Sequence, residues 1–538
     1  MRSRILPSIA AVAAVGLTLS ACAASPEADA TASEIIIGTT DKVTALDPAG
    51  SWDRGSSTLQ NQVFSWLLTS APGETDPSLD LAASAEFTSP TEYTVVLREG
   101  VTFANGNALT ASDVKFSFDR QLAIANENGP SSLLSDLESV TTDGDETVVF
   151  TLKSENNELW PQILTSPAAI IVDEDVFSAD ALTSDEDIVA GNAFEGPYAI
   201  SNYNFNSLVE LTKNPDYDGI LGAAKNENVI VKYYADDSNL KLDIQQGEIQ
   251  VAYRTLSATD VDSLSAEDGL DVHIGPGQEM RFFSFNLETQ PFGSKTDEAD
   301  ADKALAVRTA VANIIDRDEL ATQVYKDTYA PLYSIVPSGF TGATPAYEGL
   351  YGDGSGGPSV DKATAVLAAA GITEPVTLAL QYNTDHYGSS ASDEYALIKN
   401  QLEATGLFTV DLKSTEWTQY VQAFQTDYPV YQLGWFADFP DADNYLHLLE
   451  GTTEVPSILG AAANDPAFNA LVLKERALVA GDERTAVIEE AQKLAAEKLV
   501  TIPLLEGTET VVASSSVDGI DDTLDATGRF RFGFLTLK

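Results

Sequence analysis

The side chains able to do covalent or metal chemistry in this chain are few and far apart. Its three histidines, His273, His386 and His447, stand in no metal-ligand spacing such as H-E-x-x-H. No G-x-S-x-G elbow occurs, and the single cysteine, Cys22, closes an apolar run near the N-terminus. Tyr351 to Gly357 (YGDGSGG) is rich in glycine, but no strand pattern precedes it and no lysine follows. It reads as an exposed loop, not a phosphate cradle. The expectation is therefore a protein that is not an enzyme, with no catalytic residue, metal or cofactor.

Arg2 and Arg4 give a short positive start, followed by an apolar run from Ile5 to Leu19. That run suits a signal-peptide core and is short for a membrane span. It ends in Leu19-Ser20-Ala21-Cys22, which has the form of a bacterial lipoprotein cleavage box. Small residues let a peptidase approach, and the Cys22 thiol is the atom that becomes alkylated. The bland alternative is a free thiol at the end of an apolar stretch; charge, core length, small residues and cysteine coincide against it. Residues 1–21 are thus expected to be a signal peptide. Residues 22–33, small, polar and acidic, are expected to be a lipidated terminus and flexible tether. Several acyl chains on one cysteine would hold a domain at a membrane. With no other cysteine, stability must come from packing and not from disulfides.

Acidic residues number 82 against 30 basic ones, a net charge of −52. The first 21 residues hold two arginines and no acid, so the chain from Cys22 onward carries −54. Such a surface repels nucleic acid and anionic lipid. A hydrated exterior that aids solubility is the simpler reading; a field that draws in cationic ligands is the other. At 44% hydrophobic residues the chain is not disordered by composition, and 538 residues call for two or three lobes.

Strand patterns alternate with helical ones along the chain. Ile35-Ile36-Ile37 opens a buried strand, Asp47-Pro48 marks a turn, and Thr94 to Leu97 and Thr147 to Leu152 are further strands. Thr110 with Asp113 predicts a capped helix whose buried face carries Val114, Phe118 and Leu122. Leu208 to Leu211 and Val229 to Tyr233 read as strands. Helices are expected over 305–315, from the Asp316 cap, over 361–370, over 395–402 and over 483–499. Strands are expected at 408–412 and 502–505. This order predicts α/β lobes with partly parallel sheets.

Several segments, in order, resemble the extracellular solute-binding proteins of peptide and nickel ABC import systems, the family-5 type. Asp47-Pro48 is similar to an early "LDP" element, and residues 94–120 (TVVLREGVTFANGNALTASDVKFSFDR) to a long signature. Gly196-Pro197-Tyr198 with Lys213-Asn214-Pro215-Asp216-Tyr217 resembles a "GPY…NPDY" pair. Arg308 to Leu320 and Lys362 to Gly371 resemble two helical segments, and Gly434 to Asn444 (GWFADFPDADN) resembles a tryptophan loop. Ala104 and Ala442 depart from the pattern, and the second leaves the loop's backbone shape open.

The resemblance implies a two-lobed periplasmic-binding-protein-like fold (type II, cluster C) that closes over its ligand by a hinge motion. Lobe I is expected at 34–276 plus 508–538, with an extra subdomain near 60–195, and lobe II at 277–507. It further implies that Asp438 pairs with the α-amino group of a peptide, since a cation enclosed between lobes needs a carboxylate to offset lost hydration. Trp435 and Phe436 would supply apolar walls, and Ser65 and Trp66 would present strand edge to an extended peptide. Asn286 would stand beside the cleft. No group for the peptide's carboxylate is identified; Arg281 is a candidate by its position. Asp438 could also be a solvated acid, and Asp441 and Asp443 lie close enough to blur the register. The expected partners are a peptide or small-molecule ligand, an ABC permease with its ATPase, and the membrane through the lipid anchor. No nucleic acid is expected, and the chain is expected to be a monomer on the extracytoplasmic face of the cell membrane. The alternatives are a non-peptide ligand (nickel chelate, oligosaccharide or other small solute) or a surface sensor lipoprotein without a transporter.

Overall fold

A computed structural model describes residues 34–538 apart from 255, 385, 389, 452–456 and 460–463. The expected signal peptide, Cys22 and the tether lie outside the described residues. Among the described residues no helix is long and apolar enough to cross a membrane.

Two large sheets organise the chain. A seven-stranded sheet runs in the order Leu270–Gly275, Glu509–Ser514, Val251–Tyr253, Glu34–Thr39, Asn228–Tyr233, Leu208–Lys213, Tyr198–Asn204. A six-stranded sheet runs Tyr329–Pro331, Thr501–Gly507, Met280–Phe285, Val430–Trp435, Val376–Asn383, Phe408–Thr415. Each is mixed: Glu34–Thr39 pairs in parallel with both neighbours, as does Val376–Asn383. Val229 and Val231 are buried while the residues between and around them are not, the alternation a half-covered strand requires. A separate four-stranded antiparallel sheet, Ala82–Ser89, Glu92–Leu97, Thr147–Leu152 and Leu137–Asp143, packs against the helix Ala111–Ile124.

The chain passes between the two large sheets twice, over residues 276–279 and at Thr508. The two passages lie against each other. A Cβ on Gly277 would sit 1.9 Å from the Gly507 carbonyl oxygen, and the Gly507 amide donates to Glu279 at 2.8 Å. Only glycine fits at such a backbone approach.

Local sequence signals act as read, with one exception. Thr110 and Asp113 form a complete capping box on the helix Ala111–Ile124, with the Thr110 amide donating to Asp113 at 2.9 Å. Thr110→Ala is expected to cost about 1 kcal/mol, read as a lower unfolding midpoint. Leu122 corrects the expected face: Val114 and Phe118 are fully buried, but Leu122 is 38% exposed. Toward the end of the helix Arg120 and Gln121 are the buried residues instead.

Arg120 shows why. Its guanidinium reaches the buried Asp47 carboxylate, with Nη1 to Oδ1 at 2.9 Å, and Asp47 also accepts from the amides of Ala49 (3.0 Å) and Thr183 (2.7 Å). Two motifs 73 residues apart thus close on each other. The same holds for the other pair. Asn214 donates through Nδ2 to the Gly196 carbonyl at 3.0 Å and through its amide to Pro197 at 2.9 Å. Gly196 has no room for a side chain: a Cβ would lie 2.6 Å from the Val63 carbonyl carbon.

Candidate ligand-binding site

The strand Val430–Trp435 is antiparallel to Met280–Phe285 with Trp435 opposite Met280. It therefore ends where the first passage between sheets ends, and the loop that follows hangs over that passage. Against this loop lies a cavity of about 370 Å³. Trp52, Arg54, Trp66 and Arg529 line it from the side of the seven-stranded sheet, and Phe436 to Pro440 from the other. A wider space of about 710 Å³ adjoins, and Asp438 and Phe439 line both. Phe439 is 5% exposed and packs into the apolar cluster of the seven-stranded side, so its ring forms part of the wall between the two spaces.

The loop holds three aspartates, and pairing separates them. Asp441 accepts a bidentate pair from Arg484 at 2.7 Å each, and Asp443 accepts from Arg476 at 2.6 Å. Among the described residues Asp438 has two side-chain donors, both neutral: Trp52 Nε1 at 3.0 Å and Asn444 Nδ2 at 3.3 Å. Burial pushes its carboxyl above the usual range; the Asn444 bond, the nearby His447 and the Trp52 bond act the other way without offsetting it. A carboxylate offers about four acceptor positions, so Asp438 keeps capacity for a ligand cation. Ala442 has φ −59°, close to the angle proline would impose, so the backbone at this position is one that proline could also adopt.

The remaining expectations sort by geometry. Phe436 lines the cavity, with the Arg54 guanidinium 6.0 Å from its ring centroid. Trp66 lines it as well, its indole N–H satisfied by the Ser166 carbonyl at 2.8 Å. Trp435 is corrected: it does not line the cavity but donates to Asn444 Oδ1 at 2.9 Å, the same oxygen that accepts the Asp438 amide at 3.0 Å. It steadies the residue that steadies Asp438. Ser65 is corrected too. Its amide donates to Glu195 at 2.8 Å, its carbonyl accepts from Ile171 at 3.3 Å, and the Trp66 carbonyl accepts from Leu81 at 3.1 Å. These backbone groups are engaged within the fold and present no open strand edge.

Asn286 lies beyond the far end of its strand, where its Oδ1 accepts from Glu288 and its Nδ2 donates to Gln425. It turns the chain and does not face the cavity. Arg281 is buried against Glu279, Glu394, the Tyr325 hydroxyl and the Tyr387 carbonyl, so no group is left for a ligand carboxylate. Sequence reasoning missed Trp52, Arg54, Gln278 and Arg529. A tryptophan just past the Asp47-Pro48 turn was the one readable hint; its 43% exposure is visible only in the fold.

Residues 76–457 match the family model of the bacterial extracellular solute-binding proteins, family 5 (middle). The chain is 22% identical over 510 residues to the oligopeptide-binding protein OppA of Bacillus subtilis, covering 91% of this chain and 90% of that one. It is similar in structure to HbpA2 from Haemophilus parasuis, with a TM-score of 0.78 at 19% identity over 94% of this chain and 100% of the other. The periplasmic binding protein DppA from Helicobacter pylori, solved with a peptide, gives 0.69 at 21% identity over 94% and 98%. At these identities the structural likeness establishes the fold, that of the two-lobed α/β binding proteins.

Proposed function

The chain belongs to the bacterial extracellular solute-binding proteins of family 5, which bind and do not catalyse, and from that premise we propose that it captures short peptides between its lobes and delivers them to an ABC import permease. The observation that carries the ligand class is Asp438. It is an acid on the cavity wall with no cation of its own, beside two acids that each have one. A peptide's ammonium group supplies the missing charge, and the charge-assisted bond replaces the hydration lost on enclosure. Phe436, Trp66 and Phe439 give apolar contact that does not depend on the identity of the side chains. The names of relatives, an oligopeptide-binding protein among them, support the same ligand class.

In this reading lobe I comprises 34–276 plus 508–538 and lobe II 277–507, a division supported by the two passages between the sheets. The inserted subdomain spans about 60–195 in this reading and holds the four-stranded sheet. The Leu19-Ser20-Ala21-Cys22 box supports a lipid anchor on the extracytoplasmic face, and energy for import comes from a separate ATPase.

Thermal unfolding of the purified protein tests the ligand class, since a ligand that binds the folded state raises the midpoint with occupancy. Across a panel of di- to pentapeptides, short free peptides are expected to raise it and their N-acetylated forms to leave it unmoved. A rise with sugars or nickel chelates, and none with peptides, would overturn the reading.

A further inference from the structure

The cavity carries a second charge without a counterion. Arg529, in the C-terminal segment, has its guanidinium stacked on Trp66, 4.9 Å from the ring centroid. Its Nη1 donates to Thr69 Oγ1 and its Nη2 to the Thr165 carbonyl. Those two neutral acceptors fix the plane and engage two of five N–H groups. Among the described residues no carboxylate forms an ion pair with it. Two acids lie near: Asp525 is taken by Arg531 at 2.6 Å, and buried Asp80 accepts from the Ile220 amide at 3.0 Å and forms no ion pair with Arg529. Desolvation, then the charge of Arg531, lowers the Arg529 pKa to about 10, which leaves it cationic at neutral pH. The side chain is half-buried, and it lines the same cavity as Asp438.

The other cavity arginine differs. Arg54 is neutralised by Glu509 and touches Gln278 at 3.4 Å. Elsewhere Arg308 and Arg317 are also buried without an ion pair, but neither lines this cavity. Gly528 holds the Arg529 segment close to the passage between sheets: at φ 62° it has no room for a Cβ, which would lie 2.7 Å from Arg54 Nη1.

One cavity of about 370 Å³ thus has on its wall a carboxylate and a guanidinium that, among the described residues, form no ion pair with each other or with another group. A zwitterion that reaches from one to the other satisfies both, and nothing else on the wall does. Resting on the peptide reading above, we propose that Arg529 binds the ligand's terminal carboxylate, so that this chamber selects peptides of two or three residues with both ends free. A volume near the lower end of the usual range for ligand pockets, roughly 300–1,000 Å³, fits that length.

Titration calorimetry on the purified protein tests this with alanine and leucine di- and tripeptides, their C-terminal amides and their N-acetyl forms. Amidation is expected to weaken binding at least about tenfold, the loss of one charge-assisted contact. Arg529→Gln is expected to bind free and amidated peptides equally while still rejecting acetylated ones, and Arg529→Lys to restore part of the preference. If Arg529→Gln does not fold, the amide comparison on the unaltered protein still decides. Amides that bind as tightly as free peptides, with acetylation still costly, would overturn this assignment alone. Binding of no peptide at all would overturn the peptide reading and this one with it.

Discussion

Asp438→Asn is expected to weaken peptide binding by about 2 kcal/mol or more, roughly thirtyfold in Kd, and at the same time to stabilise the ligand-free protein at neutral pH. Both effects come from one cause. Burial raises the folded pKa of Asp438 above its unfolded value, against the opposing Asn444, His447 and Trp52 interactions. The favourable contribution of the protonated form is fully present below the unfolded pKa and is lost as pH rises through the folded one. At any pH above the folded value the empty protein carries the cost of a partly desolvated carboxylate. Asparagine removes that cost, keeps an acceptor for Trp52 Nε1, and gives up only the long 3.3 Å contact to Asn444. The gain in midpoint over the unaltered protein should be largest near neutrality and shrink as pH falls toward the ordinary carboxylate range. Peptide affinity of the unaltered protein should fall over that same acid range, because the ammonium group needs the ionised acid. Unfolding midpoints and titrations from pH 4 to pH 8 read both (approximate limits about the carboxylate range). A variant that binds peptide normally, or is less stable at pH 7, would remove Asp438 from its role.

Arg120→Ala is expected to destabilise the protein by roughly 3–5 kcal/mol, the usual consequence of leaving one member of a buried ion pair alone. Asp47 would keep two backbone donors, Ala49 and Thr183, but lose the cation that pairs with it. The guanidinium also donates to the Ala181 carbonyl at 3.1 Å and lies 5.4 Å from the Phe177 ring centroid, so the segment 177–183 that it holds would loosen with it. The effect should appear in urea or thermal unfolding as an early transition, and Asp47→Asn together with Arg120→Met should recover part of the loss. A single variant within about 1 kcal/mol of the unaltered protein would mean that water replaces the pair without penalty, against what their burial implies.

Much of this molecule was legible one residue at a time. Alternating apolar residues such as Val229 and Val231, the Thr110 cap, the stop at Gly371 with φ 73° and the stop at Gly406 with φ 71° are local events. Each depends on a few neighbouring side chains and on backbone sterics, so spacing alone reveals it. The order of motifs carried the family and the fold in the same way, and the tryptophan loop brought Asp438 forward. What the sequence could not settle was pairing. Asp438, Asp441 and Asp443 have the same chemistry and sit within six residues, and only the folded chain sends Arg484 and Arg476 to two of them. Ser65, Asn286 and Arg281 were plausible by position, but in the fold their polar groups have protein partners from distant segments. Arg529 is the converse, one of 30 basic residues in an acidic chain, unremarkable until its neighbours prove to be neutral. Helix, strand and turn follow from short-range forces along the chain. Which charge is left without a partner follows from long-range packing, and in this protein that decides the site.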